Sequence, residues 1–431
     1  MARKKKEEDL VEEAQGSGEK AVSKAEDEKE LLHLTKTLIR TLNKEGEDKM
    51  AWCLATDKDN PTDVKDFIST GSTLLDYIIS NRRGGGIAMG KITEVVGEEA
   101  SGKSLLVTHV LANTQKKGGL AVYIDEENAL NPDFAQRVGL DLKKLVYLQC
   151  GYVEKVGETI ESIIIKAREK DVSRPITIVW DSVAATPPKA ELEGDYDPNS
   201  RIGLQAKAIA KMMRKLTTTV GREKVTLVFT NQLKVKIGVM FGDPMGTSGG
   251  KAIPYHASTR IRLTRSTEEK DATQKDMSKG QTYGVNTYAK IIKNRLGPPM
   301  RRCEFTILFA SGIDDEESWF NYLHSVGEIS KQSGFCYMSN VPQTVVVDKE
   351  GKEEVQVAKE LKFREKAWKD IVADPATREH VFGLLDKHLI VKYDAKEIKD
   401  LDIDPESLMD AEAMAEMVVE ETPVPQETAV D

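Results

Sequence analysis

Eight consecutive residues, Gly97-Glu98-Glu99-Ala100-Ser101-Gly102-Lys103-Ser104, carry the most specific chemistry in the chain. They fit the pattern GxxxxGK[ST]. In it, glycines let the main chain wrap around phosphate, so that N–H groups and a helix N-terminus face negative charge. Lys103 would reach the β- and γ-phosphates of ATP, and the Ser104 hydroxyl would coordinate Mg²⁺. A second candidate is Asp181, at the end of the apolar run 176–180. A buried parallel strand that ends in an acid at its carboxyl edge is where a Mg²⁺-directed aspartate belongs, so Asp181 joins Ser104 as a metal candidate. The third is the run Asp125-Glu126-Glu127 after Tyr123 and Ile124. Hydrolysis needs a carboxylate near the γ-phosphate to orient or activate water. A strand adjacent to the P-loop strand would deliver one there. Periodicity does not choose among three consecutive acids.

These groups need strands that end together. The apolar runs 92–96, 120–124, 145–149, 176–180 and 225–230 read as strands, with helical stretches between them, notably 154–170 and 201–220. Such alternation implies right-handed crossovers and a mostly parallel, twisted α/β sheet across residues 67–313. After Gly250 the runs 259–264, 287–293 and 304–309 follow without intervening helices, which predicts antiparallel members. Residues 314–395 read as a small α+β domain. In the segment 31–66, Leu31, Leu34, Leu38 and Leu42 recur at helical spacing. That stripe either packs on its own core or docks on a neighbouring subunit. Residues 1–30, rich in Lys, Glu and Ala, read as a charged mobile arm.

Composition narrows the class. The 431 residues are 39% hydrophobic and 31% charged, and no apolar run is long enough to cross a bilayer. The basic start, Met1 to Lys6, lacks the apolar stretch of a secretory signal, which points to the cytoplasm. The four cysteines are far apart and fit neither a zinc site nor a disulfide framework. The net charge of −9 is concentrated: residues 396–431 hold twelve acids against Lys396 and Lys399, leaving roughly +1 for the rest. The tail reads as disordered and solvated. A polyanionic partner for the body stays open.

Several collinear motifs carry a resemblance. Ile68 to Ser72 with Leu75 and Asp76, the stretch 124–132, Asp181 to Ala185 with Pro188 to Glu191, and Asn231 to Gly242 leading to Gly249 and Gly250 resemble the RecA family of recombinases. The likeness covers roughly residues 31–395, is strongest over 68–300, and weakens beyond 314. It implies a RecA-like P-loop NTPase core, hydrolysing ATP with Mg²⁺. It places the catalytic glutamate on Glu127, a γ-phosphate sensor on Gln232, and a basic pair reaching the neighbouring subunit's ATP on Lys293 and Arg295. Tyr255 falls where the family packs an aromatic across the subunit interface. The adenine-contacting positions fall on Asn131 and Phe134, where the family has an aspartate and a tyrosine. The loop at about 232–252 is similar to the main single-strand DNA loop, and the shorter one at 194–203 to the second. DNA contacts are thereby implied for Arg201, Ile202, Gly203, Lys207 and Arg214, and for Lys234, Lys236, Ile237, Gly249, Gly250 and Lys251. The lysines of the longer loop, amid glycines, suit sequence-independent phosphate contact.

The leading reading is an ATP-dependent recombinase. It would polymerise on single-stranded DNA as a helical filament and exchange strands with a homologous duplex. Mediator or single-strand-binding proteins are compatible with it as partners, and a membrane is not. The runner-up is a hexameric helicase-like motor of the same core, and a third is a regulatory ATP-binding module.

Overall fold

The computed structural model describes residues 31–43, 49–54, 56–57, 62, 64–193, 203–235, 245–270, 282–347 and 353–392. The arm at 1–30, the tail at 396–431, and Arg201, Ile202, Lys236 and Ile237 lie outside the described residues.

In chain order, helix α1 covers residues 31–42. It is followed by β1 (Phe67–Ile68), α2 (Thr73–Ser80), β2 (Ile87–Ala88), β3 (Ile92–Gly97), α3 (Lys103–Lys116), β4 (Leu120–Asp125) and α4 (Pro132–Arg137). Next come β5 (Leu145–Leu148), α5 (Val153–Lys170), β6 (Ile176–Asp181), α6 (Lys189–Leu192), α7 (Leu204–Arg222), β7 (Thr226–Val235), β8 (Met245–Thr247) and α8 (Ala252–His256). The chain continues with β9 (Thr259–Lys270), β10 (Thr282–Asn294), β11 (Arg302–Leu308), β12 (Gly312–Asp314), α9 (Asp315–Ser325), β13 (Ile329–Gln332), β14 (Phe335–Val347), β15 (Glu353–Phe363), α10 (Trp368–Ala373) and α11 (Pro375–Leu389).

The main sheet runs β12-β11-β10-β9-β3-β7-β6-β4-β5, with β8 paired to β7 off this path. From β9 to β5 every neighbouring pair is parallel, while β10, β11 and β12 are antiparallel. Two details differ from the sequence expectation. Strand β9 is parallel to β3, because α8 provides a short crossover before it. The acid-bearing β4 is not adjacent to the P-loop strand β3, since β7 and β6 lie between them. Strand neighbours depend on where crossovers land, and a run of apolar residues does not encode that.

Side chains alternate across the sheet. In β6, Ile176, Ile178 and Trp180 enter the core shared with α5 and α7, while Val179 faces the core around α3. The same phase puts Asp181 on the α3 side. In β4, Tyr123 faces α3 and Val122 and Ile124 face away. Helices α5 and α7 close the second face with Val153, Val156, Ile160 and Ile164, and with Ile209, Met213, Leu216 and Val220. Each such fully buried side chain contributes about 2 kcal/mol.

The three-stranded sheet β13-β14-β15 packs with α9 to α11 at the C-terminal end. Its buried Phe320, Trp368 and Leu385 form one continuous apolar cluster with Leu74 and Tyr77 of α2 and Phe305 of β11. Polar joints reinforce the contact: Asp315 accepts from the Thr73 backbone N–H at 2.7 Å and from the Thr73 hydroxyl. Helix α1 is different. Leu31, Leu34, Leu38 and Leu42 are each more than half exposed, so no described residue covers its apolar stripe.

Candidate active site

The loop between β3 and α3 is shaped by two close approaches. A Cβ on Gly97 would stand 2.6 Å from the Leu263 carbonyl oxygen, so the main chain passes tight against β9. Gly102, the N-cap of α3, takes a φ of 92°, which turns the chain into the helix. Lys103 is buried at the first helical position. Its Nζ donates to the carbonyls of Gly97 at 3.2 Å and Glu98 at 2.7 Å. Burial lowers its pKa, and the negative charges of Asp181, Glu127 and Glu99 oppose that shift. The cavity outside the loop measures about 300 Å³, within the range of small-ligand sites. Glu99 to Leu105, Glu127, Gln232, Arg265, Val285 and Phe309 line it.

The three consecutive acids have three separate fates. Asp125 is fully buried and accepts from the backbone N–H groups of Ala129 and Leu130 and from the Tyr147 hydroxyl, so it builds the turn after β4. Glu126 accepts from the N–H groups of Cys150 and Gly151 and braces the next loop. Only Glu127 reaches the cavity. Ser182 Oγ donates to its Oε1, and Gln232 Nε2 donates to the same oxygen at 3.3 Å. Glu127 therefore arrives from a turn lying over the carboxyl edge of β6 and β7.

Asp181 is held at both oxygens, by the Tyr123 hydroxyl at 2.6 Å and by the Thr230 hydroxyl. Burial, followed by the Asp181 charge, raises the Tyr123 pKa, which keeps the phenol a donor. The donor set thus suits Mg-ATP. Ser104 and Asp181 offer the hard oxygens Mg²⁺ takes, with the remaining positions left for phosphate and water. Ser101 Oγ, buried in the loop, has no hydrogen-bond partner, an acceptor-seeking hydroxyl beside the phosphate position. Among the described residues no group of three or more His, Cys, Asp or Glu could hold a metal by itself.

Two wall residues escaped the sequence reading. Phe309, 44% exposed, presents an aromatic ring at the cavity, and Arg265 of β9 adds a cation. The only signal was position, Phe309 at the end of an apolar run and Arg265 just beyond one. Conversely, Asn131 and Phe134 do not line the cavity. Asn131 caps α4 by accepting from the Phe134 N–H at 2.9 Å, and Phe134 is buried edge-on against His109.

The RecA N-terminal domain family matches residues 37–314. The chain belongs to the RecA family. It is 39% identical over 280 residues to Protein RecA of Bifidobacterium breve, covering 65% of this chain and 67% of that one. It is 38% identical over 258 residues to Protein RecA of Streptomyces avermitilis, covering 60% and 64%. Protein RecA of Leifsonia xyli subsp. xyli is 36% identical over 332 residues, covering 75% and 85%.

Against this RecA-family frame, the remaining candidates fall into two groups. The bases of the two loops meet. Gly250 has a φ of 72°, and a Cβ there would stand 3.0 Å from Ala206 Cβ on α7; Gly249, with a φ of 84°, would meet Ile209 at 2.6 Å. Their glycine identity is thus explained by packing. Gly203 caps α7, Lys207 and Lys251 are exposed beside this junction, and Lys234 lies in β7 paired to Gly246. The second group sits elsewhere. Lys293 donates to the Pro254 and Tyr255 carbonyls at 2.7 and 3.0 Å, and Arg295 to Tyr255 at 3.4 Å. Neither lines the P-loop cavity. Arg214 stands with this group, since its charge, with those of Arg295 and Lys293, adds to burial in lowering the His256 pKa. Tyr255 is 66% exposed beside the pair.

Proposed function

We propose that this chain is an ATP-dependent DNA recombinase that binds and hydrolyses ATP at residues 97–104. It would assemble head to tail on single-stranded DNA and pair that strand with a homologous duplex. The observation that carries the reading is the Glu127–Gln232 contact at the cavity. It puts a water-orienting carboxylate against the strand that leads into the 236–244 segment.

Each residue has a task. Lys103 exchanges the Gly97 and Glu98 carbonyls for phosphate oxygens, which are stronger partners because they are charged. Glu127 orients the attacking water and takes its proton. Gln232 reports the γ-phosphate to the segment beyond β7. Ser104, with Asp181 behind it, would hold Mg²⁺, which would supply charge neutralisation at the phosphates. Phe309 offers a face for the adenine ring. Lys293 and Arg295 complete the site of the next subunit, supported by their absence from their own chain's cavity. The uncovered leucines of α1 are the surface for a neighbour, and an interface between unlike faces that does not close gives a filament. The setting is the cytoplasm; among the described residues no helix is long and apolar enough to cross a membrane.

Single-strand affinity measured with Mg-ATP and with Mg-ADP tests this reading. ATP should tighten binding by about tenfold or more, Lys103→Ala should remove the difference, and electron microscopy should show helical filaments. Equal affinities in ATP and ADP sink it. RecA-family membership does not favour the helicase-like alternative, which closed rings and fork unwinding would restore.

A further inference from the structure

On the face of the sheet turned away from the cavity lies a buried charge with no part in the chemistry above. Glu94 of β3 is fully buried. Its flanking strands supply its partners: Asn231 Nδ2 donates to Oε1 at 3.0 Å, and Arg260 Nε donates to Oε2 at 2.5 Å. A carboxylate at zero exposure is tolerated only when paired and hydrogen-bonded, and an apolar residue there would be no less stable. Ile92, on the same face of the same strand, is such a residue.

Asn231 is the joint. Its Nδ2 also donates to the Ser248 carbonyl at 3.0 Å, and its Oδ1 accepts from the Gln232 N–H at 3.0 Å. One buried amide therefore ties together the P-loop strand, the chain returning after the 236–244 segment, and the main chain of Gln232. Because successive residues of a strand point to opposite faces, Gln232 can meet the cavity while Asn231 meets Glu94 behind it. On the other side, Arg260 stands opposite Lys293 in the β9–β10 ladder, and its charge adds to burial and Arg295 in lowering the Lys293 pKa, with Glu94 the acid that opposes them.

We infer that Glu94 is a positioning residue coupling this chain's own ATP wall, through Asn231 to Gln232 and the DNA segment, to the wall it presents to the next subunit's ATP, through Arg260 to Lys293 and Arg295. This rests on the reading under Proposed function. A displacement of Gln232 by the γ-phosphate moves the Asn231 amide, which keeps its bonds to Glu94 and Ser248 only by carrying them along.

The test uses the full chain and three readouts: affinity for the fluorescent nucleotide mant-ATP, kcat and KM of DNA-stimulated ATP turnover, and the ATP-induced gain in single-strand affinity. For Glu94→Gln the inference expects mant-ATP affinity and KM within about twofold of wild type. It expects kcat and the ATP-induced gain to fall by about tenfold or more, the size of a typical coupling. The double variant Glu94→Gln/Arg260→Gln separates coupling from stability, because it leaves no stranded charge. Recovery of Tm with coupling still absent supports the inference; recovery of both overturns it as a merely structural pair. If Glu94→Gln does not fold, Asn231→Ser keeps the ion pair and removes only the amide, with the same losses expected. Unchanged kcat and unchanged ATP-induced gain in the folded variant overturn the inference alone. A wild-type chain without ATP-dependent DNA binding sinks it together with the recombinase reading.

Discussion

Lys103 and Lys293 occupy opposite situations on one sheet. Each ammonium is held by two main-chain carbonyls, and burial is the largest cause lowering each pKa. The next causes have opposite signs. Around Lys103 stand Asp181, Glu127 and Glu99; around Lys293 stand Arg295 and Arg260, with Glu94 the opposing acid. The P-loop wall is thus balanced within its own chain, whereas the Lys293 edge has an excess of positive charge that an external anion would relieve. A phosphate on the next subunit is such an anion. Under the reading proposed above, the difference marks where the site ends: the Lys293 cations would serve the next subunit's phosphates.

The harshest way to break this comparison is Lys103→Ala, which should abolish mant-ATP binding and lower turnover by about 10³-fold, the scale of a lost phosphate clamp. Retained nucleotide binding would remove the P-loop wall from the site. Glu127→Gln comes next: turnover should fall by about 10²- to 10³-fold with nucleotide affinity kept, as for loss of a general base. If Asp125 or Glu126 carried the chemistry, turnover would instead persist.

Lys293→Ala sharpens the comparison, with a turnover loss of about 10²-fold in filaments. Mixing it with Lys103→Ala should restore roughly a quarter of wild-type turnover, because head-to-tail neighbours pair an intact P-loop with an intact Lys293 at that frequency. No recovery in the mixture would place Lys293 in its own chain's site.

The smallest effect concerns the back of the P-loop helix. His109 is buried and accepts from the Ile313 N–H at 3.0 Å, and burial lowers its pKa from 6.5 to about 4. The unfolded chain takes up a proton that the fold refuses. Its contribution to stability is therefore present above pH 6.5 and is lost as pH falls through about 4, by on the order of 3 kcal/mol. Unfolding titrations from pH 7 to 4 should show this added loss in wild type and not in His109→Gln. Equal slopes would contradict it.

Some of this was legible residue by residue. The strands around Val95, Ile178 and Val228 are short apolar runs bounded by turns, so local pattern sufficed. Asp181 was legible because alternation along β6 sets its face. The order of strands was not, and so β4 was expected beside β3. Phe309 and Arg265 gave no signal beyond position, because each looks like an ordinary residue where a strand ends. Asn131 and Phe134 matched a family pattern, yet local packing uses them as a helix cap and a buried ring.

Sequence alone determined the phosphate-binding loop, because that function resides in eight contiguous residues whose backbone does the work. It also determined family membership, through motifs in fixed order. Tertiary structure alone decided which of Asp125, Glu126 and Glu127 faces the cavity. Consecutive residues on a turn point in different directions, and the hydrogen-bond donors that claim two of them come from chain 4 to 25 residues away. It alone set Glu94 against Asn231, since the two meet only where β3 and β7 pair. And it alone sent Lys293 away from Lys103, leaving a site whose two walls belong to different subunits under the reading proposed above.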